Sequence, residues 1–105
     1  MHARLSTYQG SADDTRIDEA IKRGKEEILP QVRDLDGYLG VVFLVDRATG
    51  KSVSVTLWRD AAALKATESV ANTIRDEGAE VDGDEIVSVE RYEVGMFDVP
   101  SNASV

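Results

Sequence analysis

The chain of 105 residues contains no cysteine. That removes disulfides, iron–sulfur clusters, thiolate zinc sites and a Cys nucleophile from consideration. It contains one histidine, His2, so a His-rich metal site and a Ser-His-Asp triad have little to be built from. No apolar run approaches the ~18 residues that a membrane-spanning helix needs. Basic residues are also few: 12 Lys and Arg stand against 20 Asp and Glu, for a net charge of −8. A protein that grips nucleic acid clusters its cations to displace counterions, and here they are scattered among acids. The same balance disfavours an anionic membrane surface. Met1-His2-Ala3-Arg4 runs directly into patterned sequence with no signal-peptide core, so the expectation is a cytoplasmic protein.

What is present reads as one α+β domain over residues 1–98, followed by a flexible tail at 99–105. Residues 2–9 alternate, with Ala3, Leu5 and Thr7 on one side and Arg4, Ser6 and Tyr8 on the other, the period of a strand. Gly10, Ser11, Asp13 and Asp14 then supply helix-start signals. Residues 14–34 predict a helix, because Ile17, Ile21, Gly24, Ile28 and Val32 recur every three or four positions. Its outer face offers the i,i+4 pairs Asp18–Lys22, Glu19–Arg23 and Lys22–Glu26. Gly24 inside the apolar stripe predicts close backbone approach, and Pro30 predicts a kink or a second, looser turn.

The run from Tyr38 to Val45 is apolar on both faces, whereas a half-solvated strand alternates. Both faces therefore need cover. Helices supply one side, and in a small sheet a partner sheet is the natural cover for the other. Asp46 to Gly50 forms a hairpin loop whose final glycine suits a positive φ. Ser52 to Trp58 alternates, with Val53, Val55 and Leu57 opposed to Ser52, Ser54, Thr56 and Trp58. Asp60 is a candidate N-cap for a helix at 61–77, with Ala63, Leu64, Thr67, Val70, Ala71 and Ile74 inward and Gly78 as its C-terminal cap. An acidic loop at 79–84 and a long last strand from about Glu85 to Asp98 complete the chain. The order is β-α-β-β-α-β, a ferredoxin-like arrangement with a four-stranded antiparallel sheet and both helices on one face.

Four segments carry a family likeness: Ile28-Leu29-Pro30-Gln31-Val32-Arg33; Asp36-Gly37-Tyr38-Leu39-Gly40; Ser54-Val55-Thr56-Leu57-Trp58 with Asp60 and an Ala-rich helix; and Val89-Glu90-Arg91-Tyr92-Glu93-Val94. On these the chain resembles the dimeric α+β-barrel superfamily, in particular the antibiotic-biosynthesis monooxygenase proteins, over nearly all of residues 2–98. The resemblance implies two sheets meeting in a homodimeric barrel, with a pocket between sheet and helices in each subunit. It also implies a small hydrophobic or aromatic ligand and a cofactor-independent oxygenase or related isomerase, in which a deprotonated substrate reacts with oxygen directly. Haem-degrading relatives place a histidine on the second helix. Between Ala61 and Gly78 this chain has none, a departure that argues against haem.

The candidate ligand-binding residues are Trp58, Tyr38, Asn72 and Tyr92. Trp58 is either a packing residue at a strand–helix corner or a pocket wall against an aromatic ligand. Asn72 is either solvated or orients a substrate oxygen. Tyr38, Tyr92 and Tyr8 are either amphipathic packing or donors to a phenolate. Arg4 and Arg91 either face a carboxylate ligand, pair with a nearby acid such as Glu90 or Glu93, or face solvent. His2 has the side-chain pKa of a general base but stands at a terminus. Asp82, Asp84 and Glu85 lack the calcium-loop pattern and read as a solvated turn. Three functions compete: the oxygenase, a non-catalytic binding dimer, and an interaction module whose pocket is filled by its own side chains.

Overall fold

Asp13 converts the first strand into a helix: its carboxylate accepts from the N–H groups of Thr15 and Arg16, donors that have no partner inside a helix. Asp60 does the same for Ala63 at 2.8 Å. In the structure, a computed structural model that describes residues 1–100, these caps open the helices of a β-α-β-β-α-β chain. The strands are β1 (His2–Gln9), β2 (Tyr38–Asp46), β3 (Lys51–Trp58) and β4 (Glu85–Glu93). They form one antiparallel sheet in the order β2-β3-β1-β4. Between β1 and β2 lie α1 (Asp14–Arg23), a π-helical turn at Gly24–Ile28, and α2 (Leu29–Arg33). Between β3 and β4 lie α3 (Ala61–Ala66) and α4 (Glu68–Asp82). Gly50 closes the β2–β3 hairpin at φ +78°, where a Cβ would run into the backbone oxygen of Gly10.

The register decides which residues share a face. Arg4 lies opposite Thr56 and Arg91, Ser6 opposite Ser54 and Val89, and Tyr8 opposite Ser52 and Ile86. Leu5 lies opposite Val55 and Glu90, and Val55 and Val53 lie opposite Val42 and Leu44. Directly opposed residues project to the same side. The helices lie on the side of Arg4 and Ser6, which bond to Leu64 and Arg75. The centre of the covered face, on β1 and β3, is therefore polar. The edge strand β2 adds Val41 and Phe43 to that side, still 39% and 42% exposed where cover by helices was expected. The apolar row of Leu5, Val53, Val55, Val42 and Leu44 occupies the bare face, and Val42 and Leu44 are 46% and 52% exposed.

Four expectations are corrected. The helix at 14–34 is interrupted by the π turn, in which Leu29 N–H reaches back to Gly24 O. Pro30 has no N–H and its ring crowds the carbonyl four residues earlier, so the helix widens just before it. The second helix breaks at Thr67 and then runs through Gly78 to Asp82, capped by Gly83 at φ +72°, with Asp84 N–H returning to Ala79 O at 2.8 Å. The supposed acidic loop is thus largely a last helical turn, held by burial of Ala79 and by Arg23 on Asp82. Val70, expected inward, is 41% exposed. Strand β4 stops at Glu93 because β1 ends: His2 is the last partner, and only Val94 N–H to Met1 O at 2.9 Å follows. Of the expected tail at 99–105, residues 101–105 lie outside the described part.

Candidate functional site

A polar sheet face under helices needs partners for its polar groups, and here it forms the floor of a cavity of about 360 Å³. That volume falls within the range of small-molecule pockets, roughly 300–1,000 Å³. Arg4, Ser6, Tyr8, Ser54 and Thr56 make the floor, with Trp58 beside them. One wall comes from α1, the π turn and α2 through Ile21, Gly24, Ile28 and Val32, and the other from α4 through Ala71, Ile74 and Arg75. The walls are mainly apolar and the floor is hydroxyl-rich.

Gly24 does not mark close backbone approach, as its place in the stripe predicted. A Cβ built there meets nothing within 4 Å. The residue lines the cavity, so the missing side chain leaves space in the wall.

Trp58 is 1% exposed and is part of the cavity wall. Its indole N–H donates to Thr56 Oγ1 at 3.0 Å, two residues back on the same strand face. Tyr38 stands edge-on to it, with ring centroids 5.9 Å apart and an interplanar angle of 78°. Tyr38 thus backs Trp58 and does not line the cavity itself. Burial raises its phenol pKa, against the opposing effect of Arg33. Tyr8 does line the cavity, and burial raises its pKa too, opposed by hydrogen bonding to Ser6 and by Arg75. Tyr92 lies on the bare sheet face opposite Ala3, half exposed, with its hydroxyl on Glu90. Asn72 is exposed and does not line the cavity, yet its Oδ1 accepts from Arg75 Nη1 at 2.7 Å.

Arg4 is 3% exposed. Its Nη2 donates to Leu64 O at 2.7 Å and Thr67 Oγ1 at 3.2 Å, and it pairs with Glu68 at 3.1 Å. Its Cζ lies 5.7 Å from the Trp58 ring centroid, a cation–π distance. Desolvation lowers its pKa, while Glu68 acts to raise it. Arg91 shares Glu68. The expected pairing with a nearby acid holds for both arginines, but the acid is neither Glu90 nor Glu93. They converge on Glu68, which only the packing of α4 on the sheet brings near. Hydrogen bonding from Arg91, then from Arg4, holds the Glu68 carboxyl at about 2.

Asp82 and Asp84 are not a solvated turn. Both line the cavity's end, Asp82 bound by Arg23 and Asp84 by Arg16 at 2.8 Å. Burial raises the Asp84 pKa, against the influence of Arg16. Arg23 thus reaches across to α4 and does not form the expected pair with Glu19. His2 is partly buried at the end of the sheet and does not line the cavity. Among the described residues, no three His, Cys, Asp or Glu side chains gather as metal ligands. No helix there is long and apolar enough to cross a membrane.

Sequence reasoning missed Arg75. It is 8% exposed, it lines the cavity, and its Nε donates to Ser6 Oγ at 3.1 Å. A signal existed: position 75 follows Thr67 and Ala71 at helical spacing, so an arginine interrupts the buried stripe.

No protein-family model matches the chain. It is similar to an uncharacterised protein of Mycobacterium tuberculosis, 32% identical over 97 residues, which are 92% of this chain and 42% of that protein. The chain therefore spans about two-fifths of the length of the curated relative it matches. Among solved structures it is similar to a Deinococcus radiodurans protein assigned to the antibiotic-biosynthesis monooxygenases, with 17% identity, TM-score 0.65, and 94% and 97% of the two chains covered. The monooxygenase ActVA-Orf6 of Streptomyces coelicolor, in complex with nanaomycin D, shows 10% identity, TM-score 0.69, and 95% and 92% coverage. SnoaB, a cofactor-independent oxygenase from Streptomyces nogalater, shows 10% identity, TM-score 0.63, and 91% and 94% coverage. The fold is that of the antibiotic-biosynthesis monooxygenase-like, ferredoxin-like proteins.

Proposed function

We propose that this domain binds a small, largely apolar molecule beside Trp58 and acts on it as a cofactor-independent monooxygenase, working as a homodimer in the cytoplasm. The observation that carries the reading is the cavity of about 360 Å³ with apolar walls, a hydroxyl-rich floor and Trp58 at its side. The fold shared with oxygenases of similar architecture supports it. In such a reaction the substrate's own anion supplies electrons to oxygen. A ring CH₂ and O₂ become a carbonyl and water, and the protein orients the substrate and receives its proton. The exposed row of Val42 and Leu44 supports pairing of two sheets through their bare faces.

A second reading, a binding protein without catalysis, is favoured by a specific observation. The lining carboxylates Asp82 and Asp84 are already engaged by Arg23 and Arg16, and His2 is outside the cavity. One experiment separates the two. Purified protein without added metal or flavin is given anthrone-type phenols, while dissolved oxygen and melting temperature are both followed. Oxygen uptake above the uncatalysed rate supports the oxygenase. A raised melting temperature with unchanged ligand supports binding alone. No shift and no uptake across aromatic, aliphatic and polyketide-like compounds sinks the ligand site.

A further inference from the structure

Arg75 is a buried arginine that lines the cavity and, among the described residues, forms no salt bridge. Arg4 has Glu68. Arg23 and Arg16, both partly exposed, have Asp82 and Asp84. Arg75 is 8% exposed, and its two hydrogen-bond acceptors, Ser6 Oγ and Asn72 Oδ1, are neutral. Among the described residues no carboxylate forms an ion pair with it. A guanidinium carries five N–H donors, and hydrogen-bond geometry accounts for two of these in Arg75. Burying an unpaired charge is strongly unfavourable, and proteins retain one only where something compensates it. The surroundings add to the imbalance. Glu68 is the single carboxylate shared by Arg4 and Arg91, so that corner is also net positive. All this occurs inside a chain whose net charge is −8.

From this we infer that the cavity's occupant is an amphipathic organic anion, an apolar body with one oxyanion, and that the oxyanion sits on Arg75 beside the Tyr8 and Ser6 hydroxyls. The inference rests on the cavity being a ligand site, and it adds the ligand's charge and orientation. The planar fork of a guanidinium suits a carboxylate, and it suits equally the oxygen of an enolate or phenolate. Ile21, Ile28 and Ile74 receive the apolar part. Ser6 and Asn72 fix the guanidinium from two sides, from β1 and from α4 itself, so Asn72 is a positioning residue.

The test uses two matched pairs: lawsone, an enolate at neutral pH, with its neutral O-methyl ether, and naphthoate with its methyl ester. Calorimetric titration of the wild-type chain at neutral pH is expected to show one anion binding roughly 10- to 100-fold more tightly than its neutral partner. Which pair shows the preference distinguishes enolate from carboxylate. Arg75→Met abolishes the ratio between anion and neutral partner, and Arg75→Lys restores part of it. Without ligand, Arg75→Met melts at or above the wild-type temperature, because a buried unpaired cation is lost. Equal affinity of wild type for anion and neutral partner overturns the inference while leaving the cavity a ligand site. A lowered melting temperature together with an unchanged preference in Arg75→Met makes the arginine structural and also overturns it. If none of the four compounds binds, the ligand site and the inference fall together. The wild-type comparison decides the matter even if a variant does not fold.

Discussion

Glu68 and Arg91 are joined by two parallel hydrogen bonds, Nε to Oε1 at 2.6 Å and Nη2 to Oε2 at 2.7 Å, which clamp the start of α4 to β4. The same carboxylate holds Arg4 at 3.1 Å on β1. One side chain thus joins a helix to two neighbouring strands at the edge of the cavity floor. Arg4 is buried, so it depends on that carboxylate more than an exposed cation would.

The pH dependence of stability follows. Glu68 has its carboxyl held at about 2, below the ordinary 4.5. A folded-state pKa below the unfolded one stabilises the protein fully above about 4.5, and that contribution is lost as pH falls toward 2. The shift, discounted because the side chain is about a quarter exposed, corresponds to roughly 1–3 kcal/mol. Glu68→Gln should therefore be less stable than wild type at pH 7, and the gap should narrow between pH 5 and pH 2. Urea denaturation at several pH values measures it. A gap that stays constant across that range would show that the carboxylate's charge contributes nothing.

Gly24→Ala should raise stability and shrink the cavity. Gly24 has φ −58° and ψ −45°, ordinary helical values, and its missing Cβ would meet nothing within 4 Å. Replacing it reduces the freedom of the unfolded chain, a gain of about 0.4–1 kcal/mol. The methyl group points into space that a ligand would use. Melting temperature should rise while affinity for the bulkiest ligands falls. A loss of stability would mean that the wall is tighter here than the geometry implies.

The framework of this fold was legible because it depends on local chemistry. Alternation in residues 2–9 and 52–58 follows from the two-residue period of a strand, and Asp13, Asp60 and Gly50 do what carboxylate caps and an unhindered turn residue do anywhere. The doubly apolar β2 correctly signalled a sheet with more apolar surface than two helices cover. The missed features are set by distant partners. Gly78 and Gly83 are equally good caps in isolation, and burial of Ala79 together with Arg23 on Asp82 selects the later one. Glu68 is 64 positions from Arg4 in the chain. Arg75 broke the helical stripe and was passed over, because a cation on a buried stripe makes sense only once the cavity beneath it is known.

Leu44→Glu tests the bare sheet face. Leu44 is 52% exposed, and Val42, Val53 and Val55 lie on the same face. A charge placed there is harmless to a single subunit and unacceptable inside a sheet-to-sheet interface. Light scattering coupled to size exclusion should find wild type at twice the chain mass and Leu44→Glu at the chain mass. Val81→Glu is the control, since Val81 is 70% exposed on α4, away from the sheet. A wild-type chain that is a stable single subunit at micromolar concentration removes the homodimer from the proposal.

Trp58 permits a direct optical test of the cavity, because it is the only tryptophan in the chain. At 1% exposure its emission should be blue-shifted and insensitive to iodide, which stays in water. A quinone bound in the cavity would lie against the indole and quench it, so titration with a quinone should lower the emission saturably. Trp58→Phe keeps an aromatic ring at the position while losing the second ring of the indole and the N–H donated to Thr56. It should cost less stability than Trp58→Ala, which empties a fully buried site at about 3–5 kcal/mol. Thr56→Val leaves the indole N–H without its acceptor, and its emission should shift if no ligand or water takes that place. Red-shifted wild-type emission that iodide quenches freely would place Trp58 in solvent, and a cavity walled by that ring would then have no basis.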